Sequence, residues 1–341
     1  MAINKRLINT GGEVAIPTSF NTVLYTGTSG IESVTGFGFD PDFVWIKNRS
    51  AAASHVIFDR VRGDDFSIYP DLTNAQDLQP SAAQQFITDG FSVSGNWIVT
   101  DRTGDDYVMW GFKAGGAAVT NTDGDNDSEV SANVDAGFSV VKTLSNNTNQ
   151  TYGHGLDSAP EMIISKNMGA NGPWGVYHSA LGTGKWLYLN QTNAVGSNVN
   201  VYPTVNSLAF SAGSQGWNYL TSNYIHYCFH SVAGFSKFGS YSGTGVASGN
   251  IVSTSVGGDV GFEPAFVLIK RSSSFSAWSI FDNKRASGST ANLVLAPDLS
   301  DAERSYGPIE FLSNGFELTN TKGGLNSSGE TYIYMAFANQ F

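Results

Sequence analysis

Short apolar runs recur along the chain, each with the length and the β-branched or aromatic content of a strand. One run, PDFVWIK at residues 41–47, returns as PEMIISK at 160–166 and as PAFVLIK at 264–270. Each copy precedes a second strand-like run and then a closing aromatic run: YVMWGFKA at 107–114, YIHYCFHS at 224–231 and YIYMAFAN at 332–339. The same pattern therefore occurs three times, with a period of roughly 100 residues that suits a small domain.

Both faces of the recurring strands are apolar. In the first copy Phe43 and Trp45 alternate with Val44 and Ile46, so this strand must be covered on both sides. Short strands, frequent Gly and Asn turns and no spacing for long helices indicate antiparallel sheets. The prediction is an all-β fold of three tandem antiparallel β-sandwich repeats, of the jelly-roll or lectin-like kind, with an N-terminal arm.

The pattern also divides the chain. We expect an anchoring arm at 1–19, unit one at 20–118, an acidic linker at 119–136, unit two at 137–231 and unit three at 232–341. The linker predicts a looser connection between units one and two than between units two and three. Asp89-Gly90 and Asn314-Gly315 predict two-residue type I′ turns in units one and three.

Charge and composition exclude several classes of protein. The net charge is −11, which argues against a nucleic-acid backbone as a partner. No apolar run approaches the length of a membrane span, so we expect no membrane insertion. Hydrophobic residues make up 41% of the chain, which is too many for a disordered Gly/Ser segment. The single cysteine, Cys228, lies in an aromatic strand and is expected to be buried.

The search for catalytic chemistry finds no G-x-S-x-G, P-loop, HExxH or CxxC motif. The chain is therefore predicted not to be an enzyme and to need no cofactor, with one alternative. Asp123, Asp125 and Asp127 alternate with small polar residues, as in the first half of a calcium loop, although the rest of that loop pattern is missing. These three carboxylates are either Ca²⁺ ligands or part of a solvated acidic linker.

Aromatic and charged residues suggest further sites. Trp97, Trp186 and Trp217 lie outside the repeated strands and are either stacking platforms for a carbohydrate or caps on the sandwiches. A lysine ends each recurring strand, and it is predicted to pack on a ring across the hairpin. The three pairs are Lys47 with His55, Lys166 with Trp174 and Lys270 with Trp278. The alternative is a repeated carbohydrate subsite built on tryptophan.

A second repeated polar pair is Asp59 with Arg62, which returns in unit three as Asp282 with Arg285. Unit two has His178 and Leu181 at these positions. The pair is predicted to anchor a turn, with unit two as the divergent copy.

Several phrases resemble a family of virion structural proteins of tailed phages that infect marine bacteria and cyanobacteria. They are MAINKRLINTGG, TVLYTGTSG, GFGFDPDFVWIKNRS, KAGGAAVTNTDG, VAGFSKFGSYSGTG, FEPAFVLIKRSSS and ETYIYMAFANQF. The resemblance covers nearly the whole chain. It implies a phage structural protein, often described as tail-fibre-like, and it offers no catalytic residues.

The resemblance leads to an expected function. We expect a non-enzymatic tail-fibre or appendage component of the virion, made in the cytoplasm of the host bacterium. Residues 1–19 would attach it to other virion proteins, and the sandwiches would contact the host surface. The alternatives are a capsid decoration protein and a carbohydrate-binding module that recognises host glycans. Because both faces of the repeated strands are apolar, a homo-oligomer is expected, with a trimer preferred.

Overall fold

The computed structural model describes residues 18–79, 84–145, 147–217 and 221–338. These residues form strands and turns almost throughout, and every pair of neighbouring named strands is antiparallel. The prediction of an all-β antiparallel fold is therefore confirmed. Of the predicted arm, only Thr18 and Ser19 fall within the described residues.

Unit one has two main sheets. One has the order β1-β9-β3-β4, a second has the order β2-β8-β7, and β5 pairs with β6. The strands are β1 Phe20–Thr26, β2 Glu32–Thr35, β3 Phe43–Asn48, β4 Val56–Asp59, β5 Phe66–Ser67, β6 Asp77–Leu78, β7 Gln85–Ile87, β8 Gly90–Val93 and β9 Asp106–Phe112.

Unit two carries a larger sheet of order β10-β11-β12-β20-β14-β15-β16-β17 and a smaller one of order β13-β19-β18. An irregular turn at Gly213–Trp217, in which Gly216 has non-helical backbone angles, precedes its last strand. The strands are β10 Val119–Asn121, β11 Ser128–Asn133, β12 Phe138–Leu144, β13 Tyr152–Gly153, β14 Met162–Asn167, β15 Gly175–His178, β16 Lys185–Tyr188, β17 Gly196–Ser197, β18 Thr204–Val205, β19 Ala209–Ser211 and β20 Asn223–Phe229.

Unit three has two four-stranded sheets, of order β21-β28-β23-β24 and β22-β27-β26-β25. A single helical turn, α1 at Gly323–Asn326, precedes the closing strand. The strands are β21 Ser236–Ser242, β22 Asn250–Ser253, β23 Pro264–Arg271, β24 Ser279–Asp282, β25 Thr290–Val294, β26 Arg304–Leu312, β27 Gly315–Leu318 and β28 Thr331–Ala338.

The three sheets that carry the recurring strands share one order of strands. In every unit the closing aromatic strand lies between the opening strand and the recurring strand and pairs with both. The recurring strand pairs on its other side with its hairpin partner. In each unit, one face of the sheet that carries the recurring strand packs on the second sheet of that unit, around a separate buried core. The alternation of side chains along a strand sends the other residues to the opposite face.

Those opposite faces meet in a single core shared by all three units. Three rings from equivalent positions of the closing strands come together there. The ring centroids are 5.1 Å apart for Phe112 and Phe337, 5.9 Å for Phe112 and Phe229 and 6.2 Å for Phe229 and Phe337. The second apolar face of each recurring strand is thus covered inside the chain. Cys228 is buried, as expected.

Two local features differ from the sequence prediction. The predicted acidic linker contains a hairpin, because Val119–Asn121 pairs with Ser128–Asn133 and the latter extends the large sheet of unit two. The tight turns of units one and three lie at Thr88–Asp89 and Ser313–Asn314, each one residue earlier than predicted, and Gly90 and Gly315 are the first residues of their strands. A Cβ on Gly90 would come within 2.1 Å of the Val34 carbonyl oxygen, so glycine is needed for strand contact.

Candidate functional site

Three buried lysines connect the units. Their side chains end the recurring strands, and each ammonium donates a hydrogen bond to a backbone carbonyl of another unit. The contacts are Lys47 Nζ to Ser300 O at 3.2 Å, Lys166 Nζ to Thr73 O at 2.8 Å and Lys270 Nζ to Thr192 O at 3.0 Å. Unit one therefore binds unit three, unit two binds unit one, and unit three binds unit two.

Burial lowers the pKa of Lys47, Lys166 and Lys270 to about 8. The sequence interpretation placed these lysines over rings within a hairpin, whereas the ammonium groups bind carbonyl oxygens of a neighbouring unit. Spacing along the chain showed that the lysines were repeated. It could not show that their partners lie in a different unit.

Backbone hydrogen bonds repeat the same cyclic order. The three bonds are Gln76 N to Met168 O at 3.1 Å, Val195 N to Ser272 O at 2.9 Å and Glu303 N to Arg49 O at 2.9 Å. The donors lie just before β6, just before β17 and just before β26, and each acceptor follows the recurring strand of another unit. The three units are therefore held by matched contacts.

The aspartate–arginine pairs also lie at these contacts. Arg62 Nε is 2.5 Å from Asp59 Oδ2, and both side chains are fully buried. Arg285 Nε is 2.6 Å from Asp282 Oδ2 in the same way. Each aspartate also anchors its turn, because Asp59 Oδ1 accepts the backbone N–H of Arg62. These buried groups act in packing and are remote from solvent.

A residue from another unit completes each pair. Trp110 Nε1 donates to Asp282 Oδ2 at 3.0 Å, and Tyr227 Oη donates to Asp59 Oδ2 at 2.8 Å. The equivalent residue in unit three is Met335, which has no donor. In unit two His178 replaces the aspartate, and its Nε2 lies 3.2 Å from the Tyr334 carbonyl. The divergence of unit two thus accompanies the loss of the donor.

The three tryptophans proposed for carbohydrate binding are separated. Trp97 is half-buried in unit one, beside Tyr69. Trp186 and Trp217 both lie in unit two and each contacts Tyr188, with ring centroids 6.4 and 6.0 Å apart. Trp217 is buried, and its Nε1 donates to the Pro173 carbonyl at 2.8 Å. The ring of Trp186 is partly exposed and lies against Gly196.

The acidic residues proposed as calcium ligands lie in the turn between β10 and β11. Asp125 Oδ2 accepts hydrogen bonds from the backbone N–H and the hydroxyl of Thr151, both at 2.9 Å, and these bonds lower the pKa of Asp125. Asp123 Oδ2 accepts one from Asn121 Nδ2 at 2.8 Å. Within the described residues, no three His, Cys, Asp or Glu side chains are grouped to hold a metal ion. Calcium at Asp123, Asp125 and Asp127 stays a prediction.

An open polar groove of about 700 Å³ lies between units one and two, which sequence reasoning did not find. Asp42 lines it, and its carboxylate accepts the N–H of Ala114 and of Gly116 at 3.0 and 3.2 Å. Arg60 Nε lies 2.9 Å from the other oxygen of Asp42. Burial raises the pKa of Asp42, although the Gly116 amide and the Arg60 charge oppose this. The chain enters unit one beside this groove.

Comparison with known families gives one match. A family profile described as "Domain of unknown function (DUF7483)" matches residues 17–340. The chain belongs to this family. The match spans all three units of the DUF7483 chain and begins within the last three residues of the predicted arm. A search of curated proteins finds no match, and neither does a search of solved structures. No helix in the described part of this DUF7483 chain has the length and hydropathy of a membrane span.

Proposed function

We propose that this chain is a non-enzymatic structural component of a tailed-phage particle. In this proposal three copies of one β-sandwich unit form a rigid body, residues 1–19 attach it to other virion proteins, and the outer surfaces contact the host. The tail-fibre or appendage location is the first expectation, and a capsid decoration protein is the alternative.

The observation that carries the proposal is the cyclic set of contacts between the units. Lys166 and its two equivalents, the buried aspartates and a shared apolar core all lie between units. Such an arrangement favours rigidity, because no unit can move without breaking buried hydrogen bonds and exposing apolar surface. Rigidity supports a mechanical role or the display of binding surfaces, and the resemblance to virion proteins supports the phage particle as the location.

The first experiment is mass spectrometry and immunogold labelling of purified phage particles produced in the host. The proposal expects the chain at a stoichiometric copy number and at one defined position on the particle. A chain present only in the host lysate, and never on particles, would refute the proposal.

A truncation tests the anchor separately. Removal of residues 1–17 keeps Ser19, whose carbonyl accepts the Lys113 N–H at 2.9 Å. The shortened protein should fold with an unchanged melting temperature and be absent from assembled particles. Normal incorporation of the folded truncated protein would show that attachment lies elsewhere.

Carbohydrate binding is the second candidate function, supported by the aromatic cluster of Trp186, Tyr188 and Trp217 in unit two. Aromatic rings bind the apolar faces of sugars, and Trp186 is the partly exposed member. A glycan array with the wild-type chain and with W186A tests this function, and W97A serves as the control in unit one. Equal signals from all three proteins would assign any glycan binding to another surface.

Oligomeric state is a separate part of the proposal. A homotrimer was expected because two apolar faces needed cover, and the shared core already provides that cover within one chain. A trimer on the particle therefore rests on the symmetry of phage appendages alone. Light scattering on the isolated chain measures it directly, and a monomeric mass would remove the homo-oligomer from the proposal.

A further inference from the structure

Two acidic side chains lie together in unit one, away from Asp123, Asp125 and Asp127. Glu32 is the first residue of β2, and Asp101 lies in the loop before β9. Asp101 is fully buried. Its Oδ1 accepts the backbone N–H groups of Thr28 and Ser29, at 2.7 and 3.1 Å. The loop that Asp101 holds is the one that leads into Glu32.

The remaining carboxylate oxygens have no donor. Asp101 Oδ2 and Glu32 Oε2 are both buried, and neither has a hydrogen-bond partner among the described residues. No basic side chain in the described ranges forms an ion pair with either carboxylate. A buried anionic oxygen without a partner is costly, and nearby carboxylates of like charge repel. Burial and the nearby charge of Asp101 both raise the pKa of Glu32.

Unit three shows how the same position is satisfied without charge. Asn250 is the first residue of β22, as Glu32 is of β2. Asn326 matches Asp101, because its Oδ1 accepts the Thr244 N–H at 2.8 Å, as Asp101 accepts that of Thr28. The tyrosines of the opening strands agree, since Tyr25 donates to the carbonyl before Asp101 and Tyr241 to the one before Asn326.

The amide groups of unit three supply hydrogen atoms that carboxylates lack. Asn250 Nδ2 donates to Asn326 Oδ1 at 2.7 Å. Asn326 Nδ2 donates to the carbonyls of Val246 and Asn320, at 2.7 and 2.8 Å. In unit one both amides are replaced by carboxylates, so oxygen atoms stand where unit three has N–H donors. A cation can take the place of the missing hydrogen atoms.

We propose that Glu32 and Asp101 bind a calcium ion in unit one. Carboxylate and carbonyl oxygens are the ligands that Ca²⁺ takes, and its flexible coordination suits an irregular loop better than the strict octahedron of Mg²⁺. The ion would join the loop after β1 to the loop before β9, at the end of the sandwich. This site is independent of the proposed virion function.

The test uses the full chain with CaCl₂ as the probe. Calcium well above its Kd should raise the melting temperature by about 2 °C or more, and EDTA should reverse the rise, because a ligand that binds only the folded state stabilises it. Tb³⁺, a calcium substitute, should show luminescence sensitised by Tyr25, and excess Ca²⁺ should remove it. No thermal response together with no Tb³⁺ luminescence would overturn the site.

Two variants locate the ion. E32N/D101N copies the amide pair of unit three, so it should fold and lose both the thermal response and the Tb³⁺ luminescence. D123N/D125N/D127N removes the other acidic group and should keep both signals. The proposal is wrong if the first variant keeps the signals or if the second loses them.

Should the double variant fail to fold, D101N alone retains the oxygen that accepts the Thr28 and Ser29 N–H groups. This variant should lower the affinity for Ca²⁺ at least about tenfold, measured by competition with Tb³⁺, as expected when a buried ionic ligand is lost. Unchanged Ca²⁺ affinity in folded D101N would overturn the site. The site would also be overturned if the melting temperature of the wild type changed with pH and did not change with Ca²⁺. A proton shared by the two carboxylates would then take the place of the ion.

Discussion

The hydroxyl of Tyr227 in unit two donates a 2.8 Å hydrogen bond to the buried carboxylate of Asp59 in unit one. The same carboxylate binds Arg62 inside its own unit. A turn anchor and a contact between units therefore use one side chain. In unit two the aspartate is replaced by His178, and the residue at the donor position in unit three is Met335.

Replacement of Tyr227 by Phe should lower the free energy of unfolding by about 1–3 kcal/mol, because a buried carboxylate loses one donor. Urea unfolding followed by fluorescence measures the change. Met335→Leu is the matched control at the equivalent position, and it should cost less than about 1.5 kcal/mol because it conserves volume and removes no hydrogen bond. Equal losses in both variants would contradict the role of the hydroxyl.

The buried lysines predict a rise in stability at alkaline pH. The pKa of Lys166 is about 8 in the folded chain and 10.5 without burial. Between these values the unfolded chain holds a proton that the folded chain has released, so the free energy of unfolding increases as pH rises.

The Lys166→Met variant isolates this effect. Between about pH 8 and pH 10, its free energy of unfolding should rise less steeply than that of the wild type, by about 1.4 kcal/mol per pH unit. Below this range the two slopes should agree. Parallel curves over the whole range would show that Lys166 keeps an ordinary pKa in the folded chain.

His226 predicts a loss of stability at acidic pH. Its ring is buried, with Nδ1 2.7 Å from Ser165 Oγ and Nε2 3.1 Å from Thr143 Oγ1, and burial lowers its pKa from 6.5 to about 3. Between these values the unfolded chain binds a proton that the folded chain does not, so stability falls as pH falls.

Comparison with His226→Gln removes the contribution of the carboxylates, which titrate in the same range. From about pH 6 down to pH 4, the wild type should lose about 1.4 kcal/mol per pH unit more than the variant. Chemical unfolding at several pH values gives both slopes. A variant with the same acid slope as the wild type would rule out His226 as the cause.

Gly175 lies against the ring of Trp217 and provides a test of how that ring is packed. A Cβ on Gly175 would lie 2.2 Å from the Trp217 ring, whereas a Cβ on Gly172 would meet nothing within 4 Å. Gly175→Ala should therefore displace the indole and cost about 1–3 kcal/mol through overpacking. Gly172→Ala should leave stability within about 0.5 kcal/mol. Tryptophan fluorescence and thermal unfolding compare the two, and similar behaviour would place Trp217 elsewhere.

The positions of the strands could be predicted from the sequence because strand signals are local. Apolar runs bounded by turn residues mark β3, β14 and β23, and side-chain alternation shows that both of their faces must be buried. The Asp89-Gly90 turn was misplaced by one residue because several registers satisfy the same short sequence. Only the pairing with β2 selects one of them.

The candidate sites were less predictable. Trp186 and Trp217 were named because they lie outside the repeated strands, and only the fold shows that both contact Tyr188 while Trp97 lies in another unit. Glu32 and Asp101 carry no motif, because Glu32 begins β2 and Asp101 lies in a distant loop before β9, and only the fold brings the two together. Their lack of donors becomes visible only beside the amide pair of unit three.

The sequence by itself determined the all-β class, the threefold return of the strand pattern and the need to bury two faces of each recurring strand. The tertiary structure decided what covers the second face, which is a core shared by the three units. Lys47 and Ser300 lie 253 residues apart and still form one contact. Hydrophobic periodicity records that a face is buried, but it holds no information on which distant segment buries it, because that choice depends on how the whole chain packs.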